Sequence, residues 1–291
     1  MTMTQEILKP PYLFRYSEKE YFADPCERPS FTQSTAKTLL SRSPFHAWTF
    51  HPRFGGYKRQ ATDEMNKGSL IHTMLLGVGK EIVAIEADNY RTKAAQEARD
   101  EALALGQIPM LAREVEEAEK MVEAIRSQLD DFGIELGRER EVTAVWEEES
   151  AHGPVLCRAM FDALEPRVVL QDLKTCKQAD LHSVQQAFTK WGYDLQYAAY
   201  TSAFRHLWPD MAGREDFVFL FVETEYPFCV TPVRPDGAMR ALGESKWRRA
   251  VEKWSECLAT GVWPKYTNGI VDLAPTSYAL YQEEIAGGDV L

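Results

Sequence analysis

The segment RAMFDALEPRVVLQDLKT, residues 158–175, sets Asp162, Asp172 and Lys174 among apolar neighbours in a pattern suited to two paired strands. A carboxylate buried on a strand is costly unless something pairs with it. Period 2 puts Asp172 and Lys174 on one strand face, with Leu173 and Leu170 expected on the other. If the EP turn pairs the two strands, Asp162 approaches Asp172 across the ladder. Two carboxylates forced together repel, and a divalent cation removes that repulsion while ordering both. Oxygen ligands suit Mg²⁺ or Mn²⁺ better than zinc, and an ammonium at Lys174 can orient, or help deprotonate, a metal-bound water. Glu141 opens the preceding strand and is the first choice for a third carboxylate, with Glu139 competing on the same strand face. The chemistry expected of such a site is phosphoester hydrolysis.

These residues need strands to hold them and helices to cover them. REVTAVWEE and VLCRAMFDAL alternate, RVVLQDLKT is β-rich, and AHGP and EP supply the turns, so these segments read as a three-stranded antiparallel meander. Before it, helices are expected at 34–43, with Ser34 as N-cap and SRSP as the stop, at 61–76, at 89–105 and at 109–131, the last two separated by GQIP. After it come helices at 180–190 and 193–207, strands DFVFLFVET and FCVTPVR, and a helix over 235–260. That order implies a mixed central sheet flanked by helices, α/β or α+β, with an N-terminal helical elaboration. With no internal repeat and no Gly/Ser linker, one domain is expected. It would comprise an arm (1–30), the helical elaboration (31–133), the core (134–263) and a C-terminal tail (264–291).

Composition narrows the classes. The chain is 45% hydrophobic with a net charge of −11, as in ordinary soluble proteins. No apolar run approaches the ~20 residues that span a bilayer, and MTMTQEILKPPYLFRY has neither a basic leader nor an apolar signal core, so an intracellular, cytoplasmic protein is expected. Five cysteines without a CxxC pair argue against a zinc ribbon, an iron–sulfur cluster or a disulfide framework. Residues 111–150 hold 13 Asp/Glu against 5 Lys/Arg and supply most of the negative charge. Residues 29–62 contain Lys37, Arg42, Arg53, Lys58 and Arg59 and no acidic residue, interleaved with aromatics, and KWRR (246–249) adds Lys246, Arg248 and Arg249. These segments fit either a basic nucleic-acid face or an ordinary solvated surface. Arg158 shares the face phase of Asp162 and is expected to contact it or a phosphate.

FDAL followed by DLKT resembles the D…(D/E)xK signature of the PD-(D/E)XK nuclease superfamily, whose restriction-endonuclease-like core has the same order of elements. Two further motifs resemble a narrower group, the RecE-like (exonuclease VIII) exodeoxyribonucleases and more distantly the RecB-type nuclease domains. Gly68 and His72 in KGSLIHTMLL match a GxxxH element, and Gln196 and Tyr200 in DLQYAAY match a QxxxY element. FTQSTAKTLLSRSPFHAW resembles the group's N-terminal S…L…SP stretch. The resemblance implies that His72, Glu141, Asp162, Asp172 and the Leu173 carbonyl hold Mg²⁺ or Mn²⁺, two ions per site. Lys174 would serve the attacking water, and Gln196 and Tyr200 would position the scissile strand or support the site. It further implies 5′→3′ hydrolysis of duplex DNA ends leaving 5′-phosphates and a 3′ tail, a RecT-like annealing partner, a phage-derived recombination role and a homo-oligomeric ring. An endonuclease on the same fold, or an inactive DNA-binding module, is the alternative.

Overall fold

In the computed structural model of the chain, the described residues are 9–57, 63–79 and 81–287, with the side chains of 63–69 and 287 left aside. In chain order the elements are β1 (Tyr12–Phe14), α1 (Glu18–Ala23), α2 (Gln33–Ser41), α3 (Pro44–Phe50), α4 (Asp63–Leu76), β2 (Ile82–Ile85), α5 (Lys93–Ala104), β3 (Ile108–Leu111) and α6 (Ala112–Asp131). There follow β4 (Glu139–Glu148), β5 (Val155–Glu165), β6 (Val169–Cys176), α7 (Leu181–Trp191), α8 (Tyr193–Leu207), β7 (Asp216–Glu223), β8 (Val230–Val233), α9 (Gly237–Thr260) and α10 (Ser277–Gly287). Among the described residues no helix is long and apolar enough to cross a membrane.

The expected meander is β4–β5–β6, and it forms the middle of a six-stranded sheet ordered β1-β4-β5-β6-β7-β8. β7 lies parallel to β6 and all other neighbours are antiparallel. A parallel pair needs a crossover, and α7 with α8 supplies it. The mixed sheet flanked by helices is therefore the architecture that the element order implied.

β7 shows why both faces are covered. Phe217, Phe219 and Phe221 turn to one face, into a core shared with α2, α7, α8 and α9. Val218, Leu220 and Val222 turn to the other, against Ile71 and Leu75 of α4 and Met121, Val122, Ile125 and Leu129 of α6. Each such side chain contributes roughly 1.5–3 kcal/mol by leaving water. Leu173 belongs to the second core, but Leu170 packs in the first. Leu170 thus shares its face phase with Asp172, the reverse of the expected orientation, as strict alternation requires.

Several boundaries differ from expectation for local reasons. α2 is capped by Thr32, whose Oγ1 accepts from the Thr35 N–H, so Ser34 sits inside the first turn. SRSP both stops α2 and starts α3, with Ser43 as N-cap and Pro44 at the first helical position. The segment expected as one helix over 89–105 is shorter. GQIP leads into β3, which pairs with β2 as a small separate parallel sheet despite Pro109. The arm is ordered too: β1 pairs with β4, and α1 carries a Ser17/Glu20 capping box.

α8 and α9 cross closely enough to require glycine. A Cβ on Gly243 of α9 would lie 2.1 Å from the Asp194 carbonyl oxygen of α8. One turn on, Lys246 pairs with the Asp194 carboxylate at 2.5 Å. Gly243→Ala is therefore expected to destabilise the protein by about 1–3 kcal/mol, measured by urea denaturation. A loss under ~0.5 kcal/mol would mean that the two helices separate freely.

Candidate metal-dependent hydrolytic site

The site forms where β5 and β6 part. Their ladder is paired only over Ala163↔Gln171, Leu164↔Leu170 and Glu165↔Val169, and in the next register step Asp162 stands opposite Asp172. There the Asp162 carboxylate takes over a ladder partner's place, accepting the Leu173 N–H at 2.8 Å. Farther along β5, Phe31 of the arm forms an isolated bridge with Cys157, on an edge that β6 has left.

Asp172 is 2% exposed. Its Oδ1 accepts a hydrogen bond from the Gln196 amide of α8, and its Oδ2 is in ion-pair contact with Lys174 Nζ. Oδ2 is fully buried, and the Lys174 ammonium is its counter-charge. Burial pushes the Asp172 carboxyl up to about 6 although the Lys174 ammonium pulls the other way. Burial would lower Lys174, but Asp172 and Asp162 outweigh it and hold its pKa above the ordinary value. The ammonium also lies over the Tyr193 ring at 5.0 Å.

Three more expected residues converge from other elements. His72 of α4 sets its Nε2 3.1 Å from the Leu173 carbonyl oxygen and 3.7 Å from Asp162 Oδ2. The Leu173 peptide thus meets Asp162 through its N–H and His72 through its C=O. Glu141 sits directly across β4–β5 from Asp162, between the paired steps Arg140↔Ala163 and Val142↔Phe161. Its φ of +46° lies in the left-handed region, which a glutamate adopts at a cost. Burial first, and then the charge of Asp162, raise its carboxyl above the usual range. Glu139 points away, paired with Arg15 at 2.5 Å. Tyr200 is buried between Phe161 and Phe217, with ring centroids at 5.3 and 5.9 Å, and shares Gln196 as a hydrogen-bond neighbour.

The donor set is carboxylate and carbonyl oxygen with one imidazole, which suits a hard divalent cation. Asp172 Oδ2, buried and paired with the Lys174 ammonium, is the atom that such an ion would share. As the side chains stand, no three His, Cys, Asp or Glu groups among the described residues close around a common point. Two contacts account for this: the Lys174 ammonium covers Asp172 Oδ2, and His72 Nε2 is turned to the Leu173 oxygen. By donor type the residues fit an ion.

The expected basic face is only partly free. Arg158 is turned to the N-terminal arm. It is 4% exposed, 3.0 Å from Asp24, and also donates to Ser30. Its face phase was as expected, but the N-terminal arm supplies its partner. Arg53 donates to the Cys26 and Glu27 carbonyls and Lys246 pairs with Asp194, so both hold the fold together. Arg42 lies 5.8 Å from the Phe50 ring, and Arg248 and Arg249 are exposed on α9. Lys58 and Arg59 lie outside the described residues. Sequence reasoning missed Tyr193, which carries Lys174 on its ring; its only signal was an aromatic three residues before Gln196.

Comparison with known proteins agrees with this geometry. Residues 33–273 match the family described as PDDEXK-like domain of unknown function (DUF3799). A crystal structure from Eubacterium rectale, described as that of a "putative exonuclease", superposes with a TM-score of 0.59 at 13% identity, covering 95% of this chain and 100% of that one. The structure of SSO0001 shares 13% identity over 65% of this chain and 87% of that one, but its TM-score of 0.27 carries no argument. No curated protein matches the chain. The family match spans the helix bearing His72, the parted strands bearing Asp162, Asp172 and Lys174, and the crossover helix bearing Gln196, and the chain belongs to the PDDEXK-like domain family, within the PD-(D/E)XK superfamily.

Proposed function

We propose that this protein is a divalent-metal-dependent nuclease, and within that class a DNA exonuclease acting on duplex ends. The observation that carries the reading is the buried Asp172 carboxylate, paired with Lys174 and close to Asp162 where two strands separate. Asp162, Asp172, Glu141, His72 and the Leu173 carbonyl would hold Mg²⁺ or Mn²⁺. When bound, the ion supplies Lewis acidity and an activated water at neutral pH.

The chain's own residues do the remaining work. Lys174 offers N–H donors that orient the attacking water and neutralise charge developing on the phosphate. Gln196 fixes the Asp172 carboxylate, and Tyr200 stiffens the wall beneath it. The Tyr193 ring keeps the Lys174 stem directed into the site. The resemblance of the GxxxH and QxxxY elements to RecE-like enzymes supports the finer reading: 5′→3′ attack leaving 5′-phosphates and a 3′ tail for a strand-annealing recombinase.

Digestion with Mg²⁺ of linear duplex labelled separately at its 5′ and 3′ ends, beside a covalently closed circle, tests this. Early release of 5′-labelled mononucleotides with the circle intact is expected. Cuts within the circle would replace the exonuclease with an endonuclease, and intact substrates would remove the nuclease reading. Protons compete with the ion for Asp172, whose carboxyl is held up to about 6. The rate is therefore expected to rise with pH, with an apparent pKa that falls as Mg²⁺ is raised. An apparent pKa independent of Mg²⁺ would exclude Asp172 as the linked group.

A further inference from the structure

A guanidinium withdrawn from water needs a counter-charge. The described arginines that are buried or half-buried find one, with a single exception. Arg28 pairs with Glu147, Arg99 with Asp100, Arg158 with Asp24, and Arg205 with Glu215 and Glu244. Arg140, half-buried on β4, forms no ion pair with a carboxylate among the described residues. Its Nη2 donates to the Leu136 carbonyl at 3.1 Å, and its Nη1 is buried with no acceptor.

The charge that does act on Arg140 is another cation. Burial, and after it the charge of Arg126 on α6, lower its pKa. Arg126 is exposed, with its Nη2 3.4 Å from the Met74 carbonyl oxygen of α4. Glu123 and Asp130 stand three and four residues from it along α6, spacings that ordinarily pair. Neither forms an ion pair with it, so the guanidinium is left to Met74 and Arg140. Two like charges near each other, one with a buried N–H lacking an acceptor, are what an anion would relieve. A planar fork of N–H donors on each suits the paired oxygens of a phosphate.

The pair also stands on the elements that carry the candidate ion site. Arg140 precedes Glu141 in β4, and Met74 follows His72 by two residues in α4. Its immediate neighbours are Leu136 and Arg126, which puts it beside that site. We propose that Arg126 and Arg140 form a phosphate-binding subsite that holds a non-scissile phosphodiester of the strand cut at Asp172. The identity of the phosphate rests on the nuclease reading.

The test is phosphate mapping by fluorescence anisotropy in EDTA, which withholds the ion and with it metal-dependent turnover. Labelled DNA oligomers, each with one phosphate replaced by a neutral methylphosphonate, are titrated with the unmutated chain, Arg140→Gln and Arg126→Gln. The unmutated chain should bind the oligomer neutralised at one position about 10-fold more weakly than the native one, and both variants should lose that difference. Each variant should also lower the slope of log affinity against log salt by ~0.7 on single strands. Because Arg126 is exposed, its variant reports on binding even if Arg140→Gln disturbs the fold. The absence of any sensitive position, or a difference that survives in Arg126→Gln, would overturn the subsite. So would inorganic phosphate that raises the melting temperature of the unmutated chain alone while no position on DNA is sensitive, since the pair would then hold a free anion. None of these readouts requires cleavage. Sensitivity without Mg²⁺ digestion would leave a nucleic-acid subsite on a protein that does not cut, and digestion without sensitivity would leave the nuclease reading and remove the subsite.

Discussion

Asp172→Asn is expected to abolish Mg²⁺-dependent cleavage, by on the order of 10³-fold or more, while leaving the protein folded. The substitution keeps the shape of the side chain and the neighbouring Gln196, but removes the charge that a cation and Lys174 both need. Its effect on stability should run the other way. Because burial raises the Asp172 carboxyl to about 6 from an ordinary value near 3.8, its contribution is fully present below about 4 and is lost as pH rises through about 6. In EDTA, the melting temperature of the unmutated protein should therefore fall relative to the Asp172→Asn variant over that interval. Loss of catalysis together with relative gain of stability is the signature of a carboxylate kept for chemistry. Full activity in the variant, or a parallel pair of stability curves, would sink the assignment.

Arg158→Met is expected to cost about 3–5 kcal/mol of stability. Asp24 stands in a left-handed conformation at the end of α1, φ +62°. Its carboxylate accepts the Ser30 N–H at 2.9 Å and the Ser30 hydroxyl at 2.8 Å, faces His51 at 3.6 Å, and pairs with Arg158 at 3.0 Å. Both charges are buried, so deleting the guanidinium strands a carboxylate in the core. Urea denaturation measures the loss. The double variant Asp24→Asn/Arg158→Met should recover much of it, since no lone charge then remains. A single-variant loss below ~1 kcal/mol would show that Ser30 and His51 suffice to hold Asp24.

The candidate site was legible because its signals are local and short in period. Alternation fixed β4, β5 and β6, the EP turn brought Asp162 opposite Asp172, and four-residue spacings placed Gly68 with His72 and Gln196 with Tyr200. The choice between Glu139 and Glu141 was not legible: it depends on a left-handed residue at 141 and on Arg15 from the arm. β1, α1 and α10 were missed because each is short or has no apolar face in sequence, and tertiary partners or caps define them. β3 was missed because a four-residue strand containing proline reads as a breaker, and β2, its partner, is equally short. The role of Arg158 failed for the same reason as β1. Strand phase shows where a side chain points, while its partner came from a distant part of the chain.

That distance has a consequence for how the protein is made. Ser30 and Arg158 are separated by 128 residues, and the strand bearing Arg158 also receives Phe31. At ~5–20 residues per second of synthesis, the arm emerges on the order of ten seconds before the strand that will hold it. Through that interval Asp24, later buried, stays hydrated, and the aromatic residues of the arm have no sheet to cover. The arm is therefore synthesised well before the strand that secures it.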